Sequence, residues 1–581
     1  MQIDLDNLTL EQSRVLNRLA VEIRDEFNVL IGKGYEANAG RLGWLLGCIA
    51  SRNSYMSPLF IRCCRIAMVL EFWKRAQNEN IKICCRDSAL MHCLRKHFRS
   101  VEADNITLSL TASWRERMKE CIRPFFYLYS SYKHLFQRWM GACPVSNVDS
   151  LKHQPLVLLD AFLFAGNKGG GRIENGTYND RYYPGLLDSL KKEGFKVRYL
   201  VALIGYDDVK KAFREMRTCR TPFLVQDDYL KFKDYISLAM LPFRIASTRI
   251  HSMRFRSVDI NAMVRSDNRV RCGVWSSFQG LLNYLFIKRI AKLGVKIKFL
   301  IDWNENQIVD RGLNLGIHQY MPQTPIIGYQ GYIISPVHNF YIAPTRYEIE
   351  AGVVPDAMAV TGEALIQQAR IDAIDYKVFA APAFRFDKVW HQRQYLPSKD
   401  KYRILVGLPI SWPEVQWMCL IVKELSKNIV SENLEFWLKP HPNYDNHEGL
   451  VRISKFLEKN RIEIRTGDIN DAIEQSHLFL GATSSTCVEA LAKGLVTIVI
   501  GNENGLTQNP IPEELPKDMW RLCYGLEEIL NHITEFMGKD FNNIEDQCDT
   551  IRRRCFMPVT EINVSEFIAS CKDTIPFALK E

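Results

Sequence analysis

The sequence predicts an α/β protein in which two Rossmann-like domains face a cleft, with an extra, mostly helical region in front of them. From residue 155 onward, apolar runs of strand length alternate with helix-length segments, which is the pattern of parallel βαβ units. The alternation starts again near residue 401, which indicates a second unit of the same kind. Several strands end in polar or small-residue loops, where open α/β sheets bind their ligands. We expect a mostly helical N-terminal region at 1–150, a first Rossmann-like domain at 151–395 and a second at 396–581.

Composition narrows the class of protein. The chain has 581 residues, of which 47% are hydrophobic and 24% are charged, as is typical of globular proteins with several domains. A net charge of +9 fits an acidic substrate or an anionic membrane surface, and it is too small to indicate a nucleic-acid partner. The sixteen cysteines lack C-x-x-C spacing, and the first residues show no signal-peptide pattern. Both features predict a cytoplasmic protein with reduced thiols.

The N-terminal region has a helical pattern interrupted by two strand-like pieces, at 27–31 and 81–84. Its segment 122–140 contains seven aromatic residues with basic residues between them. The segment carries too many charges to span a bilayer, but aromatic and basic side chains suit the surface of a membrane. The alternative is an amphipathic helix that is buried against the next domain. Peripheral membrane contact is therefore one of two hypotheses for this segment.

The first Rossmann-like domain opens with a buried strand at 156–160, followed by a glycine-rich loop at 169–171. The glycines lack the spacing of a dinucleotide-binding loop, and we expect them to let an acceptor or the facing domain come close. A later strand, at 297–301, leads into the polar loop 302–307. Between residues 244 and 271 seven arginines occur with two aspartates, which suits an anionic acceptor, membrane headgroups or a solvated surface equally.

The second domain contains two strand ends with residues suited to a nucleotide. One apolar strand ends in Lys439-Pro440-His441-Pro442, where the prolines favour extended backbone, so we expect Lys439 and His441 to project from a loop. Another ends in the turn 481–486, rich in small and hydroxyl residues, which leads into a helix. Hydroxyls and free N–H groups at a helix start can bind phosphate. Together the two loops predict a nucleotide site; the alternative is a capped helix beside an ordinary strand-end loop.

These motifs resemble a known family. The sequence KPHP followed roughly forty residues later by GATSSTCVEALAKG resembles the donor half of GT-B glycosyltransferases. It looks similar to the bacterial enzymes of surface-carbohydrate synthesis (lipopolysaccharide O-antigen and capsule) that use CMP-activated acidic sugars such as sialic acid and Kdo. In that family the histidine of the HP motif contacts the nucleotide and the paired serines hold its phosphate. The matching positions are His441, Ser484 and Ser485. Teichoic-acid polymerases, which use CDP-alcohols, carry a similar pair.

The first domain resembles the acceptor half of the same enzymes. An acidic-aromatic loop, a GYQ-like turn, a PD strand and a strand end with an arginine occur in the family's order, and the resemblance spans about 155–515. The chain departs from the family at two turns. Gly331 stands where a histidine is common, and Pro382 stands where a glycine is common three residues before the arginine, here Arg385. No role is carried over to those two turns.

The resemblance implies an inverting, metal-independent GT-B transferase that acts in the cytosol at the inner face of the membrane. Its donor is a nucleotide sugar, a CMP-linked acidic sugar first of all, and its acceptor is a growing surface polysaccharide or a lipid-linked glycan. We expect Lys439 or His441 to neutralise the leaving group, the hydroxyls of the turn to bind its phosphate, and Glu489 to cap the helix. No cofactor and no metal are expected. The residues assigned to nucleotide and phosphate are Lys439, His441, Ser484, Ser485, Thr486 and Glu489.

Transfer to an acceptor hydroxyl also needs a general base, which must be a carboxylate or histidine of the first domain. Glu305 is the first candidate, because its loop follows a buried strand at the carboxyl end. Glu174, near the glycine-rich loop, is the second candidate, and Asp160 is the third.

Other functions fit the same pattern. A transferase that uses a UDP-sugar, a GDP-sugar or a CDP-alcohol would have the same fold. A protein of a different class would be a non-catalytic GT-B-like scaffold subunit of a polysaccharide assembly complex, which binds nucleotide or glycan without turnover. A sugar-nucleotide epimerase of similar shape is a further alternative, although it would not need the arginine-rich face.

Overall fold

The structure is a computed structural model that describes residues 1–76, 79–145, 148–165, 170–250, 252–335, 337, 340–370, 375–391, 401–429, 433–457, 462–539 and 544–579. The fold is α/β, and two parallel sheets flanked by helices form two Rossmann-like domains that face a cleft. An extra, mostly helical region precedes them, so the whole has a GT-B-like arrangement. The boundary predicted between residues 395 and 396 lies outside the described residues.

The first domain is built on a parallel sheet of seven strands. Its strand Leu156–Phe164 is buried along almost its whole length, as expected of a strand covered on both faces. In spatial order the strands are Lys377–Ala380, Ala357–Val360, Ile326–Gln330, Ile297–Trp303, Leu156–Phe164, Lys196–Ile204 and Phe223–Leu224. The α-helices are Leu186–Lys192, Val209–Thr218, Phe232–Ala239, Leu241–Ala246, Asn261–Arg271, Trp275–Lys292, Ile308–Tyr320, Arg346–Glu350 and Ile366–Arg370. Two small hairpins pair Arg172–Glu174 with Thr177–Asn179 and Arg254–Phe255 with Val258–Asp259.

The second domain has a parallel sheet of six strands. In spatial order they are Ile462–Ile464, Leu434–Lys439, Tyr402–Gly407, Leu478–Gly481, Val496–Ile500 and Trp520–Cys523. Its helices are Trp412–Asn428, His447–Ser454, Ile469–Glu474, Thr486–Ala492, Gly525–Gly538 and Ile544–Cys555. The following helix, Glu561–Lys572, returns to the first domain, where Phe567 packs 5.9 Å from Phe384 between ring centres. Short 3-10 helices occur at Gln226–Tyr229, Phe340–Ile342, Glu363–Leu365, Phe384–Trp390, Lys517–Met519 and Phe577–Leu579.

The N-terminal region contains a small parallel sheet of three strands, Gln2–Asp4, Ile81–Cys85 and Ile106–Leu110. The strand predicted at 27–31 is wrong, because these residues lie inside the helix Arg24–Ala37. Their buried side chains recur at the three- and four-residue spacing of a helix, which was mistaken for a short apolar strand. The helices of this region are Leu10–Glu22, Arg24–Ala37, Leu42–Leu45, Leu59–Arg75, Ser88–Ser100, Trp114–Gly141 and Asp149–Lys152.

The N-terminal region shares one hydrophobic core with the first domain. Within that core Glu348 is completely buried and binds both Arg52 of the N-terminal region, at 2.5 Å, and Arg311 of the first domain, at 2.8 Å. Arg311 also donates to the hydroxyl of Tyr35. Burial alone would raise the pKa of Glu348, but the two guanidinium groups lower it. The ionic cluster therefore fastens the N-terminal region to the domain that follows it.

All sixteen cysteines are free thiols. Among the described residues, no helix is both long enough and apolar enough to cross a membrane.

Candidate active site

The two sheets meet with their strand-end loops across the cleft. Ser485, at the start of the helix Thr486–Ala492, accepts a hydrogen bond from the backbone N–H of Ile333 and donates to its carbonyl, both at 3.2 Å. Ile333 follows the strand Ile326–Gln330 of the first domain. The turn predicted to bind phosphate thus lies directly against the first domain.

His441 is half-buried at the end of the strand Leu434–Lys439. The backbone N–H of Asn443 donates to its Nδ1 at 3.2 Å, which leaves Nε2 as the protonated nitrogen of the neutral ring. Burial, together with the positive charges of Arg385 and Lys439, lowers the pKa of His441 to about 4. His441 is therefore a neutral hydrogen-bond donor at neutral pH, whereas the sequence suggested a cation that neutralises the leaving group.

Lys439 is buried, and its ammonium group donates to Asp445 at 3.1 Å and to the carbonyl of Pro440 at 3.4 Å. A buried charge needs such compensation, because leaving it without a partner costs several kcal/mol, of order 3–5. The ammonium group is thus engaged with the loop that it supports. This placement favours a positioning role for Lys439 over the predicted contact with phosphate.

The side chains of Ser484 and Thr486 are half-buried and hydrogen-bonded to each other. Ser484 donates to the hydroxyl of Thr486 at 3.0 Å and accepts its backbone N–H at 3.2 Å. Thr486 in turn hydrogen-bonds to Glu489, whose pKa is raised by burial and partly restored by Arg385. Glu489 lies in the first turn of the helix, but among the described residues the helix start has no side-chain cap hydrogen bond, so the predicted capping role is not seen.

Arg385 is an exposed cation beside the candidate residues of both domains. It lies at the start of the 3-10 segment Phe384–Trp390, after the edge strand of the first domain. Its positive charge lowers the pKa of Glu305 in the first domain and the pKa values of His441 and Glu489 in the second. It therefore connects candidate residues of both domains. The sequence had marked Arg385 only as part of a motif, although an arginine at a strand end was the signal that could have identified it.

Glu305 is half-buried in the loop between the strand Ile297–Trp303 and the next helix. Its Oε1 accepts from the indole N–H of Trp303 at 2.9 Å, and its Oε2 accepts from the side chain of Gln307. Burial raises the pKa of this carboxyl. A carboxylate that is held in one orientation and has a raised pKa has properties expected of a general base.

Behind this loop lies a buried acidic cluster formed by Asp160, Asp302 and Asp310. Each carboxyl offers an oxygen within 4.8 Å of the others. Burial, and then repulsion within the cluster, raises the pKa of Asp160 and Asp310, and burial raises the pKa of Asp302 to about 7. Buried carboxyl groups this close together must either share protons or bind a cation. Among the described residues, this cluster is the candidate site for a metal ion. Asp310 was not predicted; with Gln307 it forms the capping box of the helix Ile308–Tyr320.

Glu174 lies elsewhere. It is exposed on the hairpin of the first domain, where it pairs with Arg172 at 2.5 Å and accepts from Asn179 at 3.0 Å. These contacts are made within its own hairpin, and they do not bring it together with Glu305. Asp160 joins the buried cluster, where it is 3% exposed and lies close to Asp302 and Asp310.

The glycine-rich loop also differs from the expectation. A Cβ atom at Gly170 would lie 2.0 Å from the ring of Phe164, and one at Gly171 would lie 2.1 Å from the hydroxyl of Tyr178. These glycines are therefore required by packing inside the first domain. Gly169 lies outside the described residues.

One of the two departures from the family pattern has a local physical reason. A Cβ atom at Gly331 would lie 2.3 Å from the indole of Trp303, so this packing leaves no room for a histidine. At Pro382 the backbone carbonyl accepts from the hydroxyl of Tyr329 at 2.7 Å, a contact that any residue could make, so nothing in the structure explains the proline.

No protein-family model and no curated protein matches the sequence. Several solved structures are similar to part of this chain. One is a complex of S. aureus MnaA with UDP, which is 12% identical in sequence and has a TM-score of 0.41. The match covers 71% of this chain and 95% of that chain. A UDP-forming alpha,alpha-trehalose-phosphate synthase from Burkholderia vietnamiensis has 12% identity, 72% and 98% coverage and a TM-score of 0.40. The glycosyltransferase SnogD from Streptomyces nogalater has 11% identity, 72% and 100% coverage and a TM-score of 0.37. Similarity at this level carries no argument about function.

Proposed function

We propose that the protein is a glycosyltransferase that binds a nucleotide sugar in the cleft and transfers the sugar to an acceptor hydroxyl. The observation that carries the proposal is the position of Arg385, whose charge acts on Glu305 on one side of the cleft and on His441 and Glu489 on the other. A base, a hydrogen-bond donor and an exposed cation are the groups that such a transfer requires.

In the proposed reaction the acceptor oxygen forms a bond to the anomeric carbon while the bond from that carbon to the leaving phosphate breaks. Glu305 takes the proton of the acceptor hydroxyl. Arg385 stabilises the charge that develops on the leaving phosphate, and the Nε2–H of His441 and the turn at Ser484 hold the nucleotide. A direct displacement of this kind inverts the configuration. It needs no metal at the phosphate, because Arg385 supplies the positive charge.

We infer the donor and the acceptor from the sequence resemblance. A CMP-linked acidic sugar is the first choice of donor, because His441 with Ser484 and Ser485 matches the motifs of enzymes that use such donors. A surface polysaccharide or a lipid-linked glycan is the proposed acceptor on the same ground. The proposed location is the cytosol, in keeping with the free state of all sixteen cysteines.

Nucleotide release tests the function. The purified protein would be incubated with CMP-, UDP- and GDP-sugars and with CDP-glycerol, together with bacterial glycolipid extracts, and the released nucleotide would be measured. Release from a CMP-sugar that requires the extract supports the proposal, and release from another donor keeps the transferase and changes the donor. Nucleotide binding without release from any donor would overturn it in favour of a scaffold. Return of an isomerised sugar nucleotide would indicate an epimerase.

A further inference from the structure

The outer face of the helix Trp114–Gly141 carries a stripe of exposed apolar side chains. At about 100° per residue the members of the stripe fall within an arc of about 80°, over a length of about 40 Å. Its most exposed members are Phe125, at 71%, and Tyr129, at 69%. An apolar surface of this extent usually has a partner. The stripe consists of Trp114, Met118, Ile122, Phe125, Tyr129, Phe136 and Met140.

The inner face of the same helix is firmly attached to the first domain. Arg138 is buried and pairs with Asp227 at 2.5 Å, while Ser131 donates to the carbonyl of Gly273 at 2.8 Å. The sequence allowed segment 122–140 to be a helix buried against the next domain, and this is correct for the inner face of the helix only. Because these contacts fix the rotation of the helix, the aromatic stripe is held outward.

Two neighbouring helices, Phe232–Ala239 and Leu241–Ala246, extend the apolar surface. Trp139 lies 6.1 Å from Phe232 between ring centres, and a groove of about 250 Å³ opens between their helices. Further exposed apolar side chains around it are Phe232, Ile236, Met240 and Phe243. The stripe and these four residues together are called the aromatic face below.

The surroundings of the aromatic face are basic. On the same three helices the acidic residues are Glu116, Glu120 and Asp234, and Asp234 is buried in a pair with Arg289 at 2.6 Å. An apolar stripe flanked by arginine and lysine is the pattern of helices that lie in a membrane interface. The exposed basic residues are Arg115, Arg117, Lys119, Arg123, Lys133, Lys231, Lys233 and Arg244.

We propose that the aromatic face docks on the surface of an anionic lipid bilayer. The apolar stripe enters the headgroup region, and the basic residues around it contact lipid phosphates. A second copy of the chain is a less suitable occupant, because the basic margins of two such faces would repel each other. The proposal is independent of the enzymatic one.

Vesicle flotation of the full-length protein tests this. We expect binding to vesicles that contain phosphatidylglycerol, no binding to pure phosphatidylcholine vesicles, and release by salt. Replacing Phe125 and Tyr129 together by aspartate should lower the bound fraction at least tenfold, and each of Lys119→Glu and Arg123→Glu should lower the partition coefficient about fivefold. Ile562→Asp, at a side chain that is also 71% exposed but lies on the C-terminal helix, is the control and should bind like the wild type. Unchanged melting temperatures would show that the variants fold.

Several outcomes would overturn the proposal. These are no binding to either vesicle, equal binding to both, or equal losses in the Ile562→Asp control. A concentration-dependent dimer that the Phe125 and Tyr129 replacements dissociate, in a protein that does not bind lipid, would assign the face to a second copy instead.

Discussion

Ser485 of the second domain and Ile333 of the first are joined by two hydrogen bonds of 3.2 Å, one in each direction. This pair closes the cleft at the point where the sequence predicted a phosphate. Ser485 can hold a phosphate only after it leaves Ile333, whereas Ser484 and Thr486 make their side-chain contacts within their own domain. The two serines of the motif therefore have different roles.

Ser485→Ala should loosen the contact between the domains at the cleft, because it removes both hydrogen bonds between Ser485 and Ile333, each worth about 1 kcal/mol. We expect a larger radius of gyration in small-angle scattering and a change in nucleotide affinity of less than about threefold. Ser484→Ala, the matched variant, should leave the shape unchanged and weaken nucleotide binding about fivefold. A greater loss of affinity in Ser485→Ala than in Ser484→Ala would contradict this division.

Glu305→Gln should abolish most of the transfer activity while the donor still binds. Loss of a general base lowers kcat by about 10²–10⁴-fold, and the amide keeps the shape of the side chain. Steady-state kinetics with the active donor would measure this, with Glu174→Gln as the control, since Glu174 pairs with Arg172 away from the cleft residues. Equal losses in the two variants would remove Glu305 from the role of base.

The acidic cluster should make stability depend on pH. Since the pKa of Asp302 in the folded protein is about 7 and that of an unfolded aspartate is about 3.9, the folded state holds a proton that the unfolded state releases. This stabilisation is complete below about pH 4 and is lost as the pH rises to about 7.

We expect Asp302 to contribute about 2–3 kcal/mol to the fall in the free energy of unfolding between pH 5 and pH 8, and Asp302→Asn to reduce the fall by about that amount. Thermal and urea unfolding at several pH values would measure it, with Asp188→Asn at an exposed position as the control. Stability that instead rises with pH and drops on addition of a chelator would mean that the cluster is ionised around a metal.

Glu348→Ala should strongly destabilise the protein, because it leaves the buried Arg52 and Arg311 without their shared carboxylate. The expected loss is about 3–5 kcal/mol in urea unfolding. Glu350→Ala, two residues along the same helix at an exposed ion pair with Arg346, should cost less than about 0.5 kcal/mol. If the two variants were equally stable, the ionic cluster would not be what fastens the N-terminal region.

The sequence predicted the two parallel sheets and the strand ends at His441 and Glu305, because continuous apolar runs and the loops after them are local signals. The same kind of local signal gave a wrong prediction at 27–31, which is helical, because a short apolar run fits a helix as well as a strand. Contacts between distant segments left no local signal. The pairing of Arg52 with Glu348 joins residues 296 positions apart, and it decides how the N-terminal region is placed.

The chemistry of the candidate site was predicted less well than its position. His441 was correctly placed at a strand end, but its neutral state depends on burial and on Arg385, which is 56 positions away. The role proposed for Arg385 arises only where the two domains approach each other. Gly331 is a further example of a contact that the sequence does not reveal. Its departure from the family pattern is explained by its close packing against Trp303, which is visible only in the structure.

Calorimetric titration of CMP, UDP and GDP into the wild type and Arg385→Ala tests the central claim most directly. Arg346→Ala, which removes an exposed arginine paired with Glu350 on its own helix, is the control. The account predicts that CMP binds, that Arg385→Ala weakens binding at least tenfold through loss of a charge-assisted contact with phosphate, and that Arg346→Ala has no effect. Absence of binding by all three nucleotides, or binding that is the same in Arg385→Ala and the wild type, would contradict it.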